Sequence, residues 1–170
     1  MTNSIDGPAV NSGPSNELLS FTVRSQLLAL PVHTIQEVRS YEKPTPLPRS
    51  APECQGVLNL RGCFVPVVDL GLLLGLSALQ VTAKSIIVVV QLAGRHIGFA
   101  VDEVNDVANY NANEVHAAPA NKDSRLANCI AGLLTRDGAP MQLLNVQVLN
   151  TLLSAGTAVS ANMPDFQQAA

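Results

Sequence analysis

Apolar residues along this chain fall into short runs that are separated by Gly, Pro, Asn and Asp. Runs of about four to eight residues that are rich in Val, Leu and Ile, bounded by such turn-forming residues, are typical of β-strands. Strands are predicted at 18–23, 26–30, 57–60, 64–68, 86–92, 96–101, 130–135 and 141–144. Because these strands follow one another at short intervals, mainly antiparallel sheets or barrels are expected.

Glycine interrupts three of the connections between the predicted strands, at Gly62, Gly94 and Gly138. Tight hairpins require positive φ at such positions, and glycine adopts it without steric cost. Two further apolar segments, 71–76 and 147–153, follow Asp69 and Asn145, which are preferred helix N-cap residues. The predicted fold class is therefore all-β, mainly antiparallel, with a few short helices.

An internal repeat relates the two halves of the chain. A shift of 69 residues aligns 26–41 with 95–110, which places Glu37 on Asp106. A shift of 76 residues aligns Gly56 with Gly132, Gly62 with Gly138, and Asp69 with Asn145. Because a repeat of this kind indicates duplicated structural units, we expect two related half-domains at about 17–76 and 86–153. The order of the strands alone leaves open whether strands are exchanged between them.

The two ends of the chain lack this apolar periodicity. Residues 1–16 are mainly Asn, Ser, Gly and Pro, and residues 154–170 are mainly Ala, Gln, Ser and Asn. Segments of this composition bury too little apolar surface to offset the entropy of ordering. We expect flexible tails at 1–16 and 154–170, on either side of one folded region at 17–153.

The composition indicates a globular protein and argues against several partners. Apolar residues make up 47% and charged residues 14%, and the 10 Lys and Arg are scattered among 13 Asp and Glu, so nucleic acid is not an expected partner. The longest purely apolar run, 86–90, is far shorter than the roughly 20 residues of a membrane-spanning helix. The N-terminus lacks the cationic and apolar parts of a secretory signal, so a cytoplasmic protein without membrane insertion is expected.

Side chains that could carry chemistry are isolated from one another. They are three cysteines and three histidines: Cys54, Cys63, Cys129, His33, His96 and His116. Neither Cys-x-x-Cys nor His-x-x-x-His spacing occurs, and 71–75 lacks the pattern of a phosphate-binding loop, so reduced thiols, no metal, no cofactor and no catalytic residue are expected. A nucleophilic role for Cys63 beside Arg61 is the weaker alternative, because a cysteine in a strand is usually a small packed side chain.

The segment 56–70 carries two charges within strongly apolar sequence. Arg61 lies at the tip between two predicted strands, so its guanidinium either lies in solvent or pairs with carboxylates. Asp69 is either a helix cap or an internal partner for a cation. The residues themselves leave both alternatives open.

Several motifs resemble those of the CheW family, the coupling proteins of bacterial chemosensory arrays. Asn59-Leu60-Arg61-Gly62, with the segment 65–70 that ends in Asp69-Leu70, resembles the family signature. The segments 32–38, 47–52 and 98–107 are similar to its early segment, its proline connector and its Gly-x-x-Val-Asp-x-Val-x-x-Val motif. The resemblance extends over about 17–153, which is therefore identified as a CheW-like domain.

The resemblance implies a fold of two small five-stranded Src-homology-like β-barrels and a non-catalytic adaptor function. It implies two partners, the regulatory domain of a CheA-type histidine kinase and the cytoplasmic tip of a chemoreceptor, and a location at the membrane-associated receptor array. By motif position, the receptor-binding groove would contain Ile35, Glu37, Arg61, Ile86, Gly98 and Val107. The three aliphatic residues could instead be ordinary core residues.

Three positions depart from the family pattern and leave the subfamily open. Gly71 stands where many members carry Arg, Asn145 replaces an acidic residue, and Arg24-Ser25-Gln26 lacks the glycine usual in the first hairpin. That turn is therefore expected to be longer or of different shape. A coupling protein of a pilus or twitching-motility system is one alternative. A small-ligand-binding or enzymatic β-barrel, which would require a polar-lined cavity, is the other.

Overall fold

A computed structural model describes residues 16–118 and 124–156 of the chain. Within these ranges the strands are β1 Glu17–Val23, β2 Gln26–Pro31, β3 Ile35–Ser40, β4 Cys54–Leu60, β5 Cys63–Asp69, β6 Ile86–Leu92, β7 Arg95–Val101, β8 Glu103–Asn109, β9 His116–Ala117, β10 Ile130–Arg136 and β11 Ala139–Leu144. The helices are α1 Leu70–Leu73, α2 Arg125–Asn128 and α3 Val146–Gly156. No helix of the described part is long and apolar enough to cross a bilayer.

The strands form two mixed sheets. The first sheet has the order β8-β1-β2-β11-β10-β9, and the second has the order β3-β6-β7-β5-β4. All pairings are antiparallel except β11 with β2 and β5 with β7. These sheets and the few short helices confirm the predicted, mainly antiparallel all-β class.

Neither sheet is built from one half of the chain. The first combines β1 and β2 with β8–β11, and the second combines β3–β5 with β6 and β7. Under the repeat shifts, β3-β6-β7-β5-β4 corresponds to β8-β1-β2-β11-β10, so the two sheets share one strand order with strands exchanged between halves. In the described part, β3 and β4 form ladders only with β6 and β5, so the second sheet is not closed into a barrel by backbone hydrogen bonds.

All eight predicted strands are present, with ends that differ by at most three residues. The strands β3, β8 and β9 were not predicted. In β3 the phase of the apolar pattern is reversed, because Val38 is 43% exposed while Glu37 and Arg39 lie on the half-buried side. Inward-pointing charges of this kind are common on edge strands, where they oppose unwanted strand pairing.

The predicted helix starts are confirmed by capping hydrogen bonds. Asp69 Oδ1 accepts from the Leu72 amide at 3.3 Å, and Asn145 Oδ1 accepts from the Val148 amide at 3.2 Å. Helix α3 continues to Gly156, three residues into the segment expected to be a tail. The rest of that segment, and residues 1–15 of the other predicted tail, lie outside the described residues.

The first hairpin turn corrects an expectation. Val23 pairs directly with Gln26, so the turn contains two residues and is not longer than the glycine-containing turns. Arg24 and Ser25 both have positive φ, 48° and 71°, as Arg61 and Gly62 do in the β4–β5 turn, 54° and 86°. The shape is therefore that of the other hairpins, although neither residue is glycine.

The core has one shared part and one smaller part within each sheet. The shared cluster contains fully buried side chains from both sheets and from α3, among them Phe21, Phe99 and Leu149. Leu58, Val67 and other residues form a second cluster within the second sheet. Because the shared cluster joins both sheets, they pack as one unit.

Candidate functional site

A surface cleft lies at the tip of the β4–β5 hairpin, beside the edge strand β3. Its volume is about 230 Å³, and its lining residues are Gln36, Glu37, Leu60, Arg61, Cys63, Val65, Val89 and His96. The apolar side chains Leu60, Val65 and Val89 are buried, whereas charged and polar side chains lie at the rim. We call it the Glu37–Arg61 cleft.

The hairpin presents Arg61 in a defined position. Asn59 Oδ1 accepts a hydrogen bond from the Gly62 amide at 2.9 Å, and the Leu60 side chain is buried in the second sheet. The Arg61 side chain is 72% exposed, and its Nη2 donates to Glu37 Oε1 at 2.7 Å. Both alternatives from the sequence therefore apply to Arg61, which lies in solvent and pairs with a carboxylate. The signature residues Asn59, Leu60 and Gly62 serve to shape and anchor the turn.

Glu37 connects this hairpin to strand β3. The hydrogen bond from Arg61 lowers the pKa of the Glu37 carboxyl below its ordinary value, against the opposing effect of partial burial, and a further bond from Arg39 at 3.3 Å lowers it too. Arg39 also donates to Glu42 at 3.3 Å. The cleft rim is therefore charged at neutral pH and carries both signs.

The three predicted aliphatic contact residues lie outside the lining of this cleft. Ile35 and Ile86 are half-buried at the start of β3 and β6 and pack against the shared core. Val107 is 50% exposed on the edge strand β8. The structure thus joins Glu37 to Arg61, and it leaves Ile35, Ile86 and Val107 at the boundary between core and surface.

Gly98 requires a correction. It lies in the middle of β7, paired with Val89 on one side and Val67 on the other, and it is buried. A Cβ atom there would lie 2.9 Å from Ile87 Cγ2. Glycine is thus required by packing inside the second sheet, and its backbone is not available for close approach by a partner.

A second cleft lies on the first sheet and was missed by the sequence reasoning. Its volume is about 250 Å³, and Asp106, Arg136 and Asp137 line it together with apolar residues that include Leu18 and Met141. The repeat contained the signal, because the shift of 69 residues places Glu37 of the first cleft on Asp106 of the second. We call it the Asp106–Arg136 cleft. Cys63 and His96 of the Glu37–Arg61 cleft were also missed as site residues.

The thiols differ in their environments. Burial raises the pKa of the Cys54 and Cys129 thiols, whereas Cys63 is half-buried at the Glu37–Arg61 cleft. All three are free of disulfides. Over residues 16–118 and 124–156, no group of three or more His, Cys, Asp or Glu side chains is placed to hold a metal ion.

Known proteins resemble this chain in sequence and fold. The sequence model of the CheW-like domain matches residues 17–152. The chemotaxis protein CheW of Thermotoga maritima is 35% identical over 130 residues, 76% of this chain and 84% of that protein. The CheW of Bacillus subtilis is 29% identical over 149 residues, 88% of this chain and 93% of that protein. The crystal structure of the scaffolding protein TtCheW from Thermoanaerobacter tengcongensis has the same fold, with a TM-score of 0.72 at 24% identity over 81% of this chain and 92% of that chain. The chain therefore belongs to the CheW family, whose members are non-catalytic scaffolding proteins of chemotaxis.

Proposed function

We propose that this CheW-family protein couples chemoreceptors to a CheA-type histidine kinase in the cytoplasm, at the membrane-associated receptor array. The observation that carries the proposal is the Glu37–Arg61 cleft, where an exposed ion pair sits on a rigid hairpin above a buried apolar floor. A protein without catalysis transmits a signal by binding two partners and shifting their conformational populations.

The receptor is assigned to the edge of the second sheet and its neighbour β8. A receptor tip is a helical hairpin, and a helix docks in a groove through a few apolar anchors spaced along one face. Ile35, Ile86 and Val107 are the proposed anchors. Glu37 and Arg61 are the proposed rim charges, which set the register of the helix and exclude partners of the wrong charge pattern.

The kinase is assigned to the other cleft. Coupling requires that both partners bind at once, so it needs two surfaces that do not overlap. The Asp106–Arg136 cleft shares no lining residue with the Glu37–Arg61 cleft, and its apolar residues include the buried Leu18 and Met141. Arg136 Nη2 is held by the Asn109 carbonyl oxygen at 2.7 Å, so this cation too is presented in a fixed position.

Co-sedimentation with receptor-containing membranes and purified kinase tests both assignments. Arg61→Glu places a second carboxylate beside Glu37, and we expect it to abolish receptor binding while kinase binding persists. Arg136→Glu is expected to do the reverse. Lys43→Glu is the matched control, because Lys43 is exposed and lies in neither cleft.

The outcomes separate the site from the function. If Arg61→Glu folds normally and still forms the ternary complex with an active kinase, the receptor site is wrong. If Arg136→Glu keeps full kinase binding, the kinase site is wrong. If the unaltered chain binds no kinase at all, the coupling function itself is wrong.

A further inference from the structure

Arg24 reaches from the first sheet to the second. It lies in the β1–β2 turn, and its side chain is only 11% exposed. Asp69, at the end of β5 in the second sheet, forms an ion pair with Arg24 Nη2. Asp102, between β7 and β8, accepts from Arg24 Nη1 at 2.6 Å and also from the Arg24 backbone amide.

The remaining guanidinium nitrogen is bound as well. Arg24 Nε donates to the Ser77 carbonyl oxygen at 2.8 Å, so each of the three side-chain nitrogens has a partner. The fixed fork of an arginine can serve several acceptors in this way, whereas a lysine ammonium is a single point charge on a flexible stem. We call Arg24, Asp69, Asp102 and Ser77 the Arg24 cluster.

Asp69 depends on this cation. Its side chain is 1% exposed, and in addition to Arg24 it accepts from the Leu79 amide at 2.7 Å and from the Leu72 amide. A buried carboxylate that loses its counter-charge is strongly destabilising, because its desolvation is no longer compensated. In the described part of the chain, Arg24 is the residue that forms an ion pair with Asp69.

Gly71 leaves room for the same guanidinium. A Cβ atom on Gly71 would lie 2.6 Å from Arg24 Cζ and 2.9 Å from Arg24 Nε. Gly71 does not have positive φ, so its backbone would accept a side chain. Space, rather than backbone conformation, therefore requires glycine at this position.

We propose that Arg24 is a positioning residue that fixes the two sheets relative to each other, and that Gly71 is its obligatory partner. Asp102 leads directly into β8, and the segment around Leu79 leads into β6. The cluster therefore sets the positions of the strands that carry Val107 and Ile86. That last consequence rests on the proposed receptor function, whereas the dependence of Gly71 on Arg24 does not.

A double-mutant cycle on the full chain tests the pairing through urea unfolding. Breaking the buried pair with Arg24→Ala is expected to raise the unfolding equilibrium constant roughly 10²–10³-fold. Gly71→Ala alone is expected to act similarly, because the methyl group displaces the guanidinium. In the Arg24→Ala background, Gly71→Ala should instead be neutral or stabilising by up to about fivefold, since alanine favours a helix over glycine and the space is vacant.

Two outcomes would overturn the proposal. Gly71→Ala could cost the same in both backgrounds, or Arg24→Ala could leave stability unchanged. Should Arg24→Ala fail to fold, Arg24→Lys gives a second test by hydrogen exchange, because lysine keeps the charge but cannot serve all the acceptors. The Leu79 amide should then exchange at least tenfold faster while the β10–β11 hairpin is unchanged, and equal protection at Leu79 would count against the cluster.

Receptor co-sedimentation of Arg24→Lys examines the consequence for binding. Weaker receptor binding with an intact β10–β11 hairpin supports the positioning role. Unchanged binding limits Arg24 to stability and refutes that role. If the unaltered chain does not bind receptor, the proposed function fails, and the stability cycle still decides whether Arg24 and Gly71 depend on each other.

Discussion

Arg61→Gln removes the guanidinium of the Glu37–Arg61 cleft and keeps a polar side chain of moderate length. The pair has good geometry, 2.7 Å between Nη2 and Oε1, but Arg61 is 72% exposed and Glu37 is 23% exposed. Exposed pairs of this kind contribute about 0.2–1 kcal/mol to stability. For a chain of this size, the melting temperature should therefore fall by no more than about 2–4 °C.

The effect on receptor binding should be much larger than the effect on folding. A charge that becomes desolvated at an interface is worth more than the same charge in water, so we expect at least a tenfold loss of affinity, about 1.4 kcal/mol. Urea unfolding measures the first quantity, and titration of receptor-containing membranes measures the second. Arg61→Gln, Glu37→Gln and the double variant form a cycle that isolates the pair.

The pH dependence of the cycle provides an internal check. Because the pKa of Glu37 is lowered in the folded state, the pair adds stability above the ordinary carboxyl value of 4.5 and loses it as the pH falls through the folded-state pKa. The coupling should be intact at neutral pH and absent in Glu37→Gln at every pH. A coupling above about 2 kcal/mol, or unchanged receptor affinity in Arg61→Gln, would refute this account of an exposed rim charge.

Three further substitutions or labels test packing and exposure. Gly56→Ala should cost about 2–5 kcal/mol in urea unfolding, because positive φ and collision with the Thr45 carbonyl add together, whereas Gly94→Ala, with positive φ but open space around it, should cost about 1–2 kcal/mol. Leu149→Ala, at a fully buried position of α3, should lower the free energy of unfolding by about 2–5 kcal/mol, and a loss below 1 would show that α3 is not part of the core. A thiol reagent near neutral pH should modify Cys63 first and the two buried cysteines only on unfolding, and bound receptor membranes should slow the labelling of Cys63.

The strands missed by the sequence patterns are those that carry the proposed receptor contacts. The strand β3 turns Glu37 and Arg39 inward and exposes Val38, which reverses the usual apolar pattern. In β8 most residues from Asn105 to Asn109 are exposed, so apolar periodicity is weak there as well. Edge strands lack a neighbour on one side, and functional surfaces form where the core pattern is weakest.

Two glycines show where local reasoning reaches its limit. Gly98 stands within a family motif, but only the ladder positions of β6 and β5 show that it is buried against Ile87. Gly71 reads in the sequence as the loss of a cation beside Asp69. The fold supplies that cation from Arg24, which is 45 residues away along the chain.

The sequence by itself determined the eight core strands, the hairpin turns, the helix caps and the repeat, because each depends on residues that are near neighbours along the chain or on the alternation of buried and exposed positions. Only the tertiary structure decided the exchange of strands between the sheets, the pairing of Glu37 with Arg61, and the cluster around Arg24. These features join residues far apart in sequence, and their energies come from burial and charge in a shared environment that exists only after the two sheets have packed together.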